Sequence, residues 1–180
     1  MKSTGVLVTE PEFGSHPLPL REDFPAFYRR EYPNMVAIAA AVSGNRAIAE
    51  DIAQDAMLRA HRHWDRIASY ERPGAWVRRA TINLALSTVK RAGAELRRVL
   101  RLAERAVLPE PDVTDDRVWR AVAKLPGNQR AAIALHYLED RPIDEIAEIL
   151  EITAATARVH LHRGRQALAA ALDSEEVSNG

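Results

Sequence analysis

Residues Ile143–Leu168 read IDEIAEILEITAATARVHLHRGRQAL, and this stretch decides the fold of the C-terminal part of the chain. Glu151-Ile152-Thr153 is too short for anything but a tight turn between two helices, and Thr153 is a natural N-cap for the second. In that second helix Ala157, Leu161, Gly164, Leu168 and Ala171 recur at helical spacing and define one buried face. Gly164 on that face lets another helix approach closely. The outward face carries Ala155, Thr156, Arg158, Val159, His162 and Arg163. The first helix is acidic and the second carries only positive charge. A helix-turn-helix puts the start of its second helix into the DNA major groove, where arginines suit phosphates or guanine edges. The same pattern also describes a basic amphipathic terminal helix that touches no DNA, and periodicity alone leaves both open.

Outward from this pair, the chain reads as helical throughout. A helix is predicted from an Asp23 cap to Val42, with Pro33 inside it as a kink. A second is predicted from an Asn45 cap to Trp64, and a third over Ala75–Arg91. After a weakly periodic stretch ending in PEPD, four more are predicted: Asp115–Lys124, Gly127–Leu138, Ile143–Leu150 and Ala154–Leu172. No stretch alternates as a strand does. The expectation is an all-α protein of two small helical domains: a three-helix unit over residues 21–91 and a four-helix unit over 115–172. A flexible tail (1–20), a linker (92–114) and an acidic tail (173–180) complete the chain.

The 180 residues contain no cysteine, which removes disulfides, thiolate catalysis and cysteine-bound zinc together. His160 and His162, like His61 and His63, sit two apart on a helix and cannot chelate one ion. We expect no metal, no cofactor and no enzyme, since no nucleophile–base pair or phosphate loop is present. The longest apolar run, MVAIAAAV, is too short to span a bilayer, and no signal peptide opens the chain, so a cytoplasmic location is expected. The net charge of zero hides blocks: residues 59–105 carry twelve basic against four acidic side chains, whereas 106–152 carry five against ten. Basic blocks on two separate helical units raise the odds of a polyanionic partner.

In the second helix Ile48, Ala49, Ile52, Ala53, Ala56, Ala60 and Trp64 form the expected core face. Asp51, Gln54 and Leu58 lie opposite, with Asp55 on their flank. A leucine on a polar outward face is either a scattered surface residue or a docking point for a partner helix. In the third helix Val77, Ala80, Leu84 and Thr88 share one side, and Arg79, Asn83 and Lys90 another, with Ser87 beside them. Trp64, Tyr70 and Trp76 lie close by. Basic groups with aromatics can hold single-stranded nucleic acid, but each aromatic also fits a core: Trp64 more readily than not, Trp76 equally either way.

Three stretches together resemble one family. AEDIAQDAMLRAHRHWDRI resembles the core-binding helix of the extracytoplasmic-function (ECF, group IV) sigma factors of bacterial RNA polymerase, within the sigma-70 family. PGAWVRRATINLALSTVKR resembles their promoter-melting segment, and LPGNQRAAIALHYLEDRPIDEIAEILEITAATARVHLHRGRQAL their fourth domain. The resemblance spans residues 22–172 in family order, and WDR…WVRRA…NLALS is similar to an actinobacterial-type subgroup. It implies a sigma factor that joins core polymerase and directs initiation. Asp51, Gln54, Asp55 and Leu58 would meet the β′ clamp helices. Tyr70, Arg72, Trp76, Arg79, Asn83 and Lys90 would meet the −10 element, where a base is flipped out at a cost of a few kcal/mol. Thr153, Thr156, Arg158, Val159, His162 and Arg163 would read the −35 element, and the fourth domain would dock on the β flap. An anti-sigma factor is an implied inhibitory partner. The chain departs from the family pattern at Glu151, where glycine is usual, and at Val159, His160 and Ser87. A left-handed backbone at Glu151 would cost roughly 1 kcal/mol, or the turn bends otherwise. The competing readings are a stand-alone helix-turn-helix regulator that does not join polymerase, and a helical adaptor without DNA contact.

Overall fold

The computed structural model describes residues 22–102 and 117–178. Its elements are α1 (Phe24–Ser43), α2 (Ala49–Arg62), α3 (Trp64–Ile67), α4 (Pro73–Leu102), α5 (Arg117–Ala123), α6 (Gly127–Glu139), α7 (Ile143–Leu150) and α8 (Ala154–Ser178). There is no strand among the described residues.

The all-α expectation holds, and the starts of α1 and α8 have the caps read from the sequence. Asp23 caps α1, its carboxylate accepting from Ala26 N at 2.8 Å. Gly44 ends α1 in the left-handed region at φ 67°, the conformation that costs glycine least. Thr153 caps α8, its hydroxyl oxygen accepting from Thr156 N at 3.1 Å.

Asn45, by contrast, does not cap α2. Its side chain accepts from Ala47 N at 2.9 Å and closes a local turn, and α2 begins later, at Ala49, with no side-chain cap. Short-range Asx bonding competes with capping in just this way. Trp64 leaves α2 and opens the short α3, because the helix breaks at His63. The third helix starts at Pro73 rather than Ala75, Pro73 being suited to a first turn, and it continues to Leu102 through residues expected in the linker. α8 likewise runs to Ser178 through the expected acidic tail.

The two helical units pack on each other. One continuous buried cluster joins Phe27, Met35, Ile38, Ala53, Met57, Val77 and Ile82 to Ala131, Leu135, Ile146, Ile149 and Ala157. A smaller cluster of Val122, Leu125, Ile133 and Leu161 lies under α5, α6 and α8. Gly164 is buried where α8 crosses α6: a Cβ there would lie 2.9 Å from Ile133 Cγ1, so the close approach read from the sequence is real.

The buried face of α4 includes an arginine. Val77, Arg78, Thr81, Ile82 and Ala85 are buried, whereas Ala80, Leu84 and Thr88 are half-buried. The side shared by Val77, Ala80, Leu84 and Thr88 is therefore only partly buried, and the fully buried stripe runs through Arg78. Helical spacing locates a stripe only as finely as its apolar members define it, and alanines and a paired arginine blur this one.

Candidate nucleic-acid and polymerase interfaces

The outward face of α2 is as read. Leu58 is 54% exposed, with Asp51 and Gln54 exposed beside it and Asp55 half-exposed. Asp55 pairs with Arg59 one turn later at 3.0 Å, and Gln54 donates to the Tyr32 hydroxyl at 3.4 Å. Leu58 borders a groove of about 240 Å³ lined by Phe24, Tyr28, Gln54, Met57 and His61. Tyr28 stacks on Tyr32 with ring centres 4.8 Å apart. Burial and the neighbouring Tyr32 push the Tyr28 hydroxyl above the ordinary tyrosine range, so this surface presents a neutral Tyr28 phenol beside an apolar leucine. Such a mixture suits a partner helix that offers both apolar and polar side chains.

The six residues expected at the −10 element do not form one free surface. Tyr70, Asn83 and Lys90 are exposed. Trp76 is half-buried and packs on the core, as does Trp64. Arg72 and Arg79 are engaged by α7. Arg72 Nη1 lies 3.0 Å from Glu148 Oε2 and 3.7 Å from Glu145 Oε1. Arg79 donates Nε to Ile149 O at 3.1 Å, Nη2 to Glu148 O at 2.8 Å and Nη1 to Glu151 Oε1 at 2.5 Å. A guanidinium at a helix C-terminus meets carbonyls that have no partner in their own helix and the negative end of the helix dipole.

Glu151 is left-handed, at φ 54° and ψ 43°. The turn therefore keeps the geometry that favours glycine, and does not bend otherwise. The Glu151 side chain reaches Arg79, a contact that glycine could not make.

The charged residues that sequence reasoning missed are buried. Arg78 lies between Glu31 of α1 and Glu139 of α6, with Nη2 2.8 Å from Glu31 Oε2 and Nε 2.5 Å from Glu139 Oε2. Burial depresses the Arg78 guanidinium, but its bonds to Glu139 and the charges of both carboxylates outweigh that and hold it above the ordinary arginine value. Arg130, lowered by burial, donates Nη1 to Ala123 O at 2.8 Å and so closes the end of α5. Nothing in a single sequence separates a buried, paired arginine from a solvated one.

The helix-turn-helix face is open. Thr153, Arg158, Val159, His162 and Arg163 are exposed and Thr156 is half-exposed. Val159, 44% exposed, places an apolar side chain between two arginines on a surface of the kind that enters a groove.

Residues 27–95 match the Sigma-70 region 2 model and residues 115–168 the Sigma-70 region 4 model. The chain is 32% identical over 141 residues to the ECF RNA polymerase sigma factor SigW of Bacillus subtilis, covering 69% of this chain and 75% of that protein. The chain belongs to the ECF sigma factors. SigM of Mycobacterium tuberculosis is 30% identical over 153 residues, covering 83% of this chain and 76% of the relative. Among solved structures, the sigma factor RpoE of Bartonella quintana, in complex with the anti-sigma factor NepR, superposes with a TM-score of 0.69 at 22% identity, covering 84% of this chain and 97% of that one. CnrH, in complex with the cytosolic domain of CnrY, superposes with a TM-score of 0.59 at 20% identity. For this ECF sigma factor, α1 to α4 are therefore region 2 and α5 to α8 region 4. No helix among its described residues is long and apolar enough to cross a membrane.

Proposed function

We propose that this chain joins core RNA polymerase through α2, contacts the −10 element through the start of α4 and the −35 element through α8, and so directs promoter-specific initiation without being an enzyme. The observation that carries the reading is Leu58: an exposed leucine on an otherwise polar face, beside an apolar groove, on the helix that lies within the region 2 match. By position, Asp51, Gln54, Asp55 and Leu58 take the β′ clamp helices. Tyr70, Arg72, Trp76, Arg79, Asn83 and Lys90 take the −10 strand, and region 4 docks on the β flap. Thr153, Thr156, Arg158, Val159, His162 and Arg163 take the −35 groove.

The finer assignments follow from the same reading. The protein works in the cytoplasm, where polymerase is. It belongs with an actinobacterial-type subgroup, consistent with mycobacterial relatives such as SigM. It has an anti-sigma partner, as the sigma factor RpoE was captured with the anti-sigma factor NepR.

The test is to mix purified protein with core polymerase on a sizing column. Co-elution, followed by promoter-dependent run-off transcription, is the expected result. A folded protein that fails to join active core is instead a stand-alone helix-turn-helix regulator.

A further inference from the structure

One exposed arginine of region 4 is held in place without a carboxylate. Arg30, Arg59, Arg72, Arg78, Arg79 and Arg141 each meet a glutamate or aspartate. Arg165 of α8 instead donates Nε to the Tyr137 hydroxyl at 2.8 Å, and its Nη2 lies 2.8 Å from His136 Nε2. Its guanidinium carbon sits 5.5 Å from the centre of the Tyr137 ring. His136 Nδ1 in turn lies 3.2 Å from Arg141 O. A guanidinium only donates and a carbonyl only accepts. The contacts therefore take an imidazole with its proton on Nδ1 and its lone pair on Nε2, facing Arg165. Among the described residues no ion pair neutralises Arg165, and its Nη1 hydrogens have no partner.

The position of this group on α8 gives it a direction. Arg165 stands seven residues after Arg158, about two turns and roughly 10 Å along the axis, and within about 20° of the same side. Both are exposed, and so is His162 between them. An α-helix with its side chains is about 10–12 Å across and the major groove is about 12 Å wide. A helix that enters the groove therefore fills it, and its flanks meet the sugar-phosphate walls. Arg158 and Arg165 share one flank, beside the buried stripe of Ala157, Leu161 and Gly164. Tyr137 is 57% exposed. An aromatic ring at that exposure adds little to the core, and its hydroxyl and face both go to Arg165.

Resting on the −35 role proposed above for α8, we propose that Arg165 is a further DNA contact: a phosphate-binding guanidinium that Tyr137 and His136 of α6 hold in place before DNA arrives. The ring and the two acceptors fix the plane of the guanidinium and leave Nη1 as the free end. A phosphate oxygen is the acceptor that a fixed, unpaired guanidinium suits best. Ordering the side chain in advance reduces the freedom it loses on binding. Tyr137 and His136 are positioning residues in this arrangement, and α6 becomes part of the −35 interface without touching a base. The contact carries no sequence information of its own; it sets how firmly and in what orientation α8 sits in the groove.

The test uses the full chain and a labelled duplex of about two helical turns, roughly 20 base pairs, that the parent protein selects from a random pool. Affinity is measured across a range of salt. Arg165→Ala should weaken binding at least threefold and flatten the plot of log affinity against log salt by about one. Tyr137→Phe, which removes only the holding hydroxyl, should weaken binding by a smaller factor and leave the slope unchanged. Arg120→Ala removes the same charge from an exposed position on α5 and should change neither. A slope that Arg165→Ala leaves unaltered overturns the contact, as does equal flattening by Arg120→Ala, which would make the effect one of net charge. Affinity unchanged in Tyr137→Phe overturns the holding role of that residue. Arg158→Ala tests the −35 reading separately. If it flattens the slope and Arg165→Ala does not, only the Arg165 assignment has failed. If neither variant alters the slope, or the parent protein selects no duplex, the −35 role of α8 has failed and the assignment with it.

Discussion

Arg78 of α4 and Glu139 of α6 form a two-bond ion pair across the boundary between region 2 and region 4, Nε to Oε2 at 2.5 Å and Nη2 to Oε1 at 2.8 Å. Their side chains are 5% and 3% exposed, and Glu31 holds the same guanidinium from α1. A buried charge is tolerated when it is paired and hydrogen-bonded, and removing one partner leaves the others stranded.

Arg78→Met should therefore lower stability by about 3–5 kcal/mol, read as a fall in the urea midpoint. Adding Glu31→Gln and Glu139→Gln removes the stranded carboxylates and should recover at least half of the loss. A single variant as stable as the parent would show that the pair carries no net weight.

Gly164→Ala places a methyl 2.9 Å from Ile133 Cγ1 and 3.2 Å from its Cδ1. Overpacking costs about 1–3 kcal/mol, and the gain in helix propensity returns about 1 kcal/mol. The expected result is a net loss near 1 kcal/mol, larger for Gly164→Leu, and Gly164→Ala with Ile133→Ala should lose less than the sum of the two single losses, because the smaller side chain makes room. A stabilised Gly164→Ala would mean that Ile133 moves aside freely.

Leu58→Asp should leave the melting temperature within a degree or two, because the side chain is 54% exposed and surface changes seldom exceed about 0.5 kcal/mol. Co-elution with core polymerase should be lost. Full retention of binding would remove Leu58 from the docking surface.

Arg158→Ala with Arg163→Ala should weaken binding to −35 duplex DNA. The plot of log affinity against log salt should flatten by about two if both arginines meet phosphates. Both side chains are exposed, so circular dichroism should not change. An unaltered slope would place the DNA elsewhere.

Much of the fold was legible because its determinants are local. Asp23, Gly44 and Thr153 act within a turn of where they stand, and the Ala157–Leu161–Gly164 stripe is wide enough to fix which way α8 faces. Asn45 misled because an Asx turn and a helix cap draw on the same short-range bond. The ends of α4 and α8 misled because charged, weakly periodic sequence is compatible with both helix and linker.

The candidate surfaces divide along the same line. The outward faces of α2 and α8 were readable, since exposure on an amphipathic helix follows from its buried stripe. The −10 set was not. Arg72, Arg78 and Arg79 are near neighbours in a basic run. Yet Arg78 is buried between two carboxylates, Arg79 caps α7 and Arg72 pairs with Glu148.

The sequence by itself determined the helices, the turn at Glu151-Ile152-Thr153, the face that α8 shows to solvent and the resemblance to the ECF sigma factors. Only the tertiary structure decided that region 4 lies on region 2 and that α7 covers both arginines proposed for the −10 element. A helix start or an amphipathic stripe is set by residues a few positions apart. The partner of a buried or capping arginine is brought to it by chain reversals some seventy residues away, and no local pattern records that meeting.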